Sequence, residues 1–196
     1  ALHGLAPRHL IALDRAYEPL RLVGSDPVPA AVSDAAFSLM SPNKALGHTG
    51  VRAGWVGLPR AGVSAQHDAV SQAFQALAPS WVLSAEGVAL LSAWTQPECA
   101  AHLQHSRAQL RTLVQRQGAL LAELGWQQRE SVTPFGLARP PRPMLAALRA
   151  QGLRLRDASS FGLPGWVRLS AQLPAAQDAL RAAANSLMNT SSESIA

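Results

Sequence analysis

The stretch from residue 35 to residue 58 constrains this chain more than any other. Ala35-Ala-Phe-Ser-Leu39 reads as a short buried strand, Ser41-Pro-Asn-Lys44 as a polar turn, and Arg52-Ala-Gly-Trp-Val-Gly-Leu58 as another strand, ended by Pro59. Between the turn and the second strand lie Gly47, Gly50 and Gly54, a density that lets the backbone approach a ligand closely. A strand, a polar turn, a lysine and a glycine-flanked arginine make a site for a group carrying both a phosphate and an aldehyde. Ser41 and Asn43 offer short hydrogen-bonding side chains, and Arg52 offers a fork that matches phosphate.

Lys44 is the only lysine in the sequence, and every other residue among the 17 lysines and arginines is arginine. Arginine stays protonated at any accessible pH. A lysine amine can lose its proton when desolvated or set near other cations, and can then attack a carbonyl. A lysine kept in so arginine-rich a chain therefore reads as a Schiff-base lysine, the alternative being a surface lysine left by chance. Upstream, His9-Leu-Ile-Ala-Leu-Asp14 reads as a buried parallel-type strand ending in a carboxylate, followed by Tyr17, the single tyrosine. In open α/β sheets ligands gather at the carboxyl ends of strands, which places Asp14 well for a cofactor.

The segment Ser41-Pro-Asn-Lys-Ala-Leu-Gly-His-Thr-Gly-Val-Arg-Ala-Gly54 resembles the lysine motif of fold-type I pyridoxal-phosphate (PLP) enzymes, aminotransferases of class I and II. It is most similar to the histidinol-phosphate aminotransferase group and its threonine-phosphate decarboxylase relatives of cobalamin synthesis. The resemblance implies that Lys44 forms the Schiff base with pyridoxal 5'-phosphate and that Ser41 and Arg52 bind the cofactor phosphate. Asn43 stands where serine is commoner, and His48-Thr49 where Leu-Ala is usual. Asp14-Arg-Ala-Tyr17 is similar to the family's Asp-Glu-Ala-Tyr, which implies that Asp14 contacts the pyridine nitrogen and Tyr17 the ring's 3-oxygen. An aspartate there keeps the ring protonated and strengthens it as an electron sink. Arg15, in the place of glutamate, is expected to have no direct catalytic role.

Beyond this stretch, Ser64–Ala78 carries Val70, Phe74 and Leu77 at helical spacing behind a Ser64 cap, and Ser84–Thr95 reads as a second apolar helix. A long helix is expected from Pro97 to about Leu124, stopped by Gly125. His102 and His105 lie three apart on it without a carboxylate or thiol nearby, so a solvated face is expected rather than a metal site. A strand pair broken at Pro134 follows, then a proline-rich turn, a helix from Met144 to Gln151, an alternating strand Leu153–Asp157, and a final helix from Ala175 to about Leu187. Arg-Asp-Ala-Ser-Ser-Phe-Gly-Leu-Pro-Gly-Trp-Val-Arg168 resembles the small-domain motif of the same family, which implies that Arg168 binds the substrate α-carboxylate. Arg156 and Phe161 are pocket neighbours without an assigned role.

The expected fold class is α/β. Residues 1–124 are read as the C-terminal part of a PLP-binding large domain with a mixed sheet, 125–188 as a small α+β domain, and 189–196 as a disordered tail. With nearly half its residues apolar the chain can bury a real core, and its net charge of +5 comes from arginines spread along the sequence rather than clustered. That spread speaks against nucleic acid. The run Trp81–Trp94, interrupted by Glu86, is too short to span a membrane. The single cysteine, Cys99, excludes an internal disulfide and fits a reducing cytoplasm. The expected protein is a homodimeric PLP-dependent aminotransferase of amino-acid biosynthesis, acting on an amino acid or amino-alcohol phosphate. The rival readings are a threonine-phosphate decarboxylase-like enzyme of cobalamin synthesis, a non-catalytic aminotransferase-like module, and an arginine-rich interaction protein. The family's first half, with its phosphate loop and stacking aromatic, has no counterpart here, so the chain is expected to be the second half of a larger polypeptide.

Overall fold

The computed structural model describes residues 9–190. The chain forms two compact units that divide between His105 and Ser106. In the first, β1 (Ala12–Asp14), β2 (Phe37–Met40) and β3 (Trp55–Gly57) make a three-stranded sheet in that order. β1 runs parallel to β2 with Asp14 opposite Leu39, and β3 runs antiparallel to β2 with Val56 opposite Leu39. The sheet is therefore mixed, as expected.

Strand β1 is shorter and more exposed than its apolar sequence suggests. It lies at the edge of the sheet, and only Ala12–Asp14 pair. The reason shows on β2. Phe37 is buried against α3 (Ala65–Ala76), with its ring stacked parallel to that of His67 at 6.3 Å and tilted against Phe74 at 5.7 Å. Leu39, two residues further along the same face, is 40% exposed. The layer covers one end of the sheet only. On α3 the buried position is His67 rather than any of the apolar residues chosen from spacing, and Leu77 is 82% exposed.

Two helices start at serine caps, of which Ser64 is the one expected from sequence. Ser64 accepts the His67 N–H at the start of α3, and Ser84 accepts the Gly87 N–H at the start of α4 (Ala85–Trp94). The loop after β1 holds a 3-10 turn at Glu18–Leu20 and a short helix α1 (Ala30–Ser33) that the Pro- and Gly-rich composition conceals. Arg15 stabilises this loop. Its guanidinium pairs with Asp26 at 2.6 Å and donates to Ser33 at 2.9 Å. The Val28 N–H, followed by Arg15, holds the Asp26 carboxyl below its ordinary range.

The long helix α5 (Pro97–Glu123) has its C-terminal turns in the second unit. Leu120, Leu121 and Leu124 pack with Trp126, Ala138, Val167, Leu169 and residues of the two later helices into one core. This is why the units divide within α5, ahead of Gly125. Gly125, at φ +70°, closes the helix: its N–H bonds the Ala122 carbonyl and the Trp126 N–H bonds that of Leu121. Strands β4 (Gln127–Arg129), β5 (Phe135–Arg139), β6 (Arg156–Asp157) and β7 (Val167–Ser170) form an antiparallel sheet ordered β4-β5-β7-β6. The segment Leu153–Asp157 pairs only through its last two residues, because the Leu153 N–H is used to close α6 (Leu145–Ala150) on the Leu148 carbonyl. Leu153 and Leu155 still point to the core. Helix α7 spans Pro174–Thr190, so residues 189 and 190 are helical where a disordered tail is expected; 191–196 lie outside the described residues.

Gln177 ties α7 to α5. Its buried amide donates to the carbonyls of Leu113 at 3.1 Å and Gln172 at 2.7 Å, and accepts from Arg116 at 2.8 Å. Every polar atom of that side chain is used, so Gln177→Ala strands several partners at once. We expect the second unit to lose about 2–3 kcal/mol, measured by denaturant unfolding. Loss of less than about 0.5 kcal/mol rejects the role.

Candidate active site

Asp14 ends β1 and Ser41 follows β2, and the parallel pairing brings the two together. They line one cleft of about 300 Å³ with Ala16, Leu39, Met40, Gly54, Trp55 and Val56. Asp14 is exposed and accepts the Ala16 N–H at 3.0 Å, which fixes the chain's turn toward Tyr17. Lys44 lies on α2 (Asn43–Leu46), a single turn started after Pro42 and ended by Gly47 at φ +69°. α2 packs against the 3-10 turn that Tyr17 precedes, and the Lys44 ammonium stands 5.9 Å from the centre of the Tyr17 ring. Two segments far apart in sequence, 14–17 and 41–44, thus meet.

Arg52 joins them through the residues on either side of it. The Ser41 hydroxyl bonds the Ala53 carbonyl at 3.0 Å and the Asn43 Oδ1 at 2.6 Å. The Asn43 amide donates to the His48 carbonyl at 2.5 Å and to that of Val51. The loop is thereby folded back on the lysine turn, with the Arg52 side chain exposed and without an ion pair among the described residues. Sequence marks Asn43 as a polar group beside the lysine, but its burial and its two-carbonyl reach are visible only in the fold.

Gly54 explains itself sterically. A Cβ there would lie 2.7 Å from the Met40 carbonyl oxygen, whereas one at Gly57 would meet the Ser38 Cβ at 3.5 Å. We expect Gly54→Ala to cost about 1–3 kcal/mol and to disturb the β2–β3 pairing beside the cleft. Gly57→Ala should cost well under that in the same thermal unfolding assay, and equal losses would refute the steric account.

In the second unit, Arg168 lies on β7 opposite Leu137 and, on its other side, opposite Arg156. Both arginines are exposed and neither forms an ion pair with a described residue. Each leans on an aromatic ring instead, Arg168 on Phe135 at 5.0 Å and Arg156 on Phe161 at 5.7 Å. Asp157 forms no ion pair with either arginine, although the charge of Arg156 acts on it. It is engaged by the Ser159 hydroxyl and N–H, which lower its carboxyl below the ordinary range, with a smaller contribution from Arg156. Arg156 had no role assigned from sequence, because cross-strand register is invisible there.

The model of the family described as aminotransferase class I and II matches residues 6–185. The chain belongs to that family. Its members are pyridoxal-phosphate-dependent enzymes. Among solved structures, the fold matches histidinol-phosphate aminotransferase from Clostridium acetobutylicum with a TM-score of 0.75 at 15% identity, covering 96% of this chain and 57% of that one. It also matches L-threonine-O-3-phosphate decarboxylase from Porphyromonas gingivalis, with a TM-score of 0.66 at 22% identity and coverages of 96% and 57%. A mutant aspartate aminotransferase from Thermus thermophilus gives 0.70 at 24% identity, covering 94% and 53%. Comparison with curated proteins gives no match. The chain thus has the α/β fold of these transferases and spans just over half the length of the solved structures it resembles. Among the described residues, no helix is long and apolar enough to cross a membrane.

The donor set fits the family's cofactor. One amine, one carboxylate, one hydroxyl and one guanidinium lie on three adjoining segments; Asp14 and Ser41 line the cleft, whereas Lys44, Tyr17 and Arg52 are not among the residues that line it.

Proposed function

We propose that this chain belongs to a PLP-dependent aminotransferase acting on an amino acid or amino-alcohol phosphate. The supporting observation is that segments 14–17 and 41–44 meet, with the exposed Lys44 amine 5.9 Å from the Tyr17 ring, while segment 51–53 is hydrogen-bonded to Ser41 and Asn43. Pyridoxal phosphate supplies an aldehyde for that amine and a ring that accepts electrons. In this reading Ser41 and Arg52 bind the phosphate, Asp14 keeps a proton on the ring nitrogen, and Tyr17 donates to the 3-oxygen. Lys44 would hold the cofactor through its aldehyde, and its amine would be the group that moves a proton at the substrate Cα. Arg168 holds the substrate carboxylate, which orients the bonds at Cα.

The Arg156–Arg168 pair favours a substrate with two anionic groups. Like charges directly opposite on neighbouring strands repel, and a dianion relieves the repulsion. A carboxylate together with a phosphate meets that demand. A reducing cytoplasm, consistent with the lone cysteine, and a homodimer complete the reading; Trp81, 91% exposed, and Leu77 offer apolar surface for a second subunit.

The test is turnover of amino donors with a 2-oxo acid as acceptor. Transamination of phosphorylated donors supports the reading. Release of carbon dioxide from O-phosphothreonine makes the protein a decarboxylase instead, and inertness toward every donor, with cofactor bound, makes it a non-catalytic module.

A further inference from the structure

Asn43 is buried, 6% exposed, beside an exposed lysine, and its hydrogen bonds admit one orientation only. Both amide hydrogens go to carbonyl oxygens, those of His48 and Val51. A flipped amide would set Oδ1 against two other oxygens. Oδ1 must therefore face Ser41, and the Ser41 hydroxyl must donate to it. Among the described residues, the Asn43 amide ties segment 47–53 to the lysine turn through the His48 and Val51 carbonyls, and the Ser41 Oγ lies 3.0 Å from the Ala53 carbonyl. Space is open around Gly47 and Gly50, so packing at those positions does not hold the loop.

We propose that Asn43 is the positioning residue of the anion cradle: its amide folds loop 47–53 onto the lysine turn and sets where Arg52 and the Ser41 hydroxyl stand relative to Lys44. The proposal rests on the cofactor reading above for its ligand, but the clamp is a property of the chain itself. Aspartate keeps the acceptor for Ser41 and turns both carbonyl contacts repulsive. Serine has one hydrogen and too short a reach for two carbonyls. Either change releases the loop and leaves the Lys44 amine exposed. Preorganisation of the loop that carries Arg52 is then what is lost.

The single lysine makes this measurable on the full 196-residue chain. The chain is incubated with pyridoxal phosphate or with pyridoxal, reduced with borohydride, and the adduct at Lys44 is quantified by peptide mapping, which separates it from the α-amine. The unsubstituted chain should label at lower concentrations of the phosphorylated aldehyde. In Asn43→Asp and Asn43→Ser, pyridoxal labelling should stay within about twofold while the preference for the phosphorylated form falls about tenfold. Amide hydrogen exchange over 47–53 should rise in both variants, with β2 and α3 unchanged, and Asn43→Gln, which keeps both donors, should recover part of the preference. A variant that keeps the full preference and the protected loop overturns the proposal. If the unsubstituted chain shows no preference, the cofactor reading fails instead, and the exchange of the loop in Asn43→Asp still decides whether the clamp exists.

Discussion

Lys44→Ala abolishes the adduct that borohydride traps with pyridoxal phosphate, and Lys44→Arg does not restore it. No second lysine exists to take its place. The guanidinium keeps the charge, the length and the position over Tyr17, but it does not lose its proton and so does not attack an aldehyde. A surface lysine present only for its charge would be replaced by arginine without loss of turnover, so transamination in the arginine variant is what discriminates. Transamination, measured alongside, should fall by four orders of magnitude or so in both variants, as expected when a covalent and proton-carrying group is removed. Neither variant should change stability by more than about 0.5 kcal/mol, since Lys44 is exposed. Retention of transamination in Lys44→Arg refutes the assignment.

What sequence disclosed of this fold was written in punctuation. Ser64 and Ser84 opened helices, Gly125 stopped one, and Pro134 separated two strands, because each acts through backbone geometry within a few residues of itself. The features that escaped depend on partners distant in the chain. The burial of His67 needs Phe37 across the unit, and the exposure of Leu39 needs the knowledge that α3 covers one end of the sheet. The short β6 follows from a hydrogen bond spent on closing α6. At the candidate site the residue types and their order were readable, since Lys44, Asp14 and Tyr17 stand out by rarity and position. Their meeting was not, and neither was Arg156, whose alternation with Leu153 and Leu155 marks it as outward-facing without saying what it faces.

Arg156 and Arg168 give the second large effect, and a way to separate cost from use. Two guanidinia in direct cross-strand register repel, so removing one should leave the sheet as stable or slightly more stable. Their aromatic contacts are exposed and contribute less than about 1 kcal/mol each. Arg168→Ala is nevertheless expected to lower kcat/KM for every α-carboxylate donor by about 100- to 1000-fold, the loss that follows from removing one partner of a bidentate, charge-assisted pair. Arg168→Lys should recover a small part only, because an ammonium cannot match both oxygens. Arg156→Ala should spare unphosphorylated donors and penalise phosphorylated ones. An arginine pair kept for the fold would show the reverse pattern, with lower unfolding free energy in both variants and no selectivity between donors. Unchanged stability combined with donor-selective loss means that the repulsion in the free protein is the counterpart of affinity for a dianion.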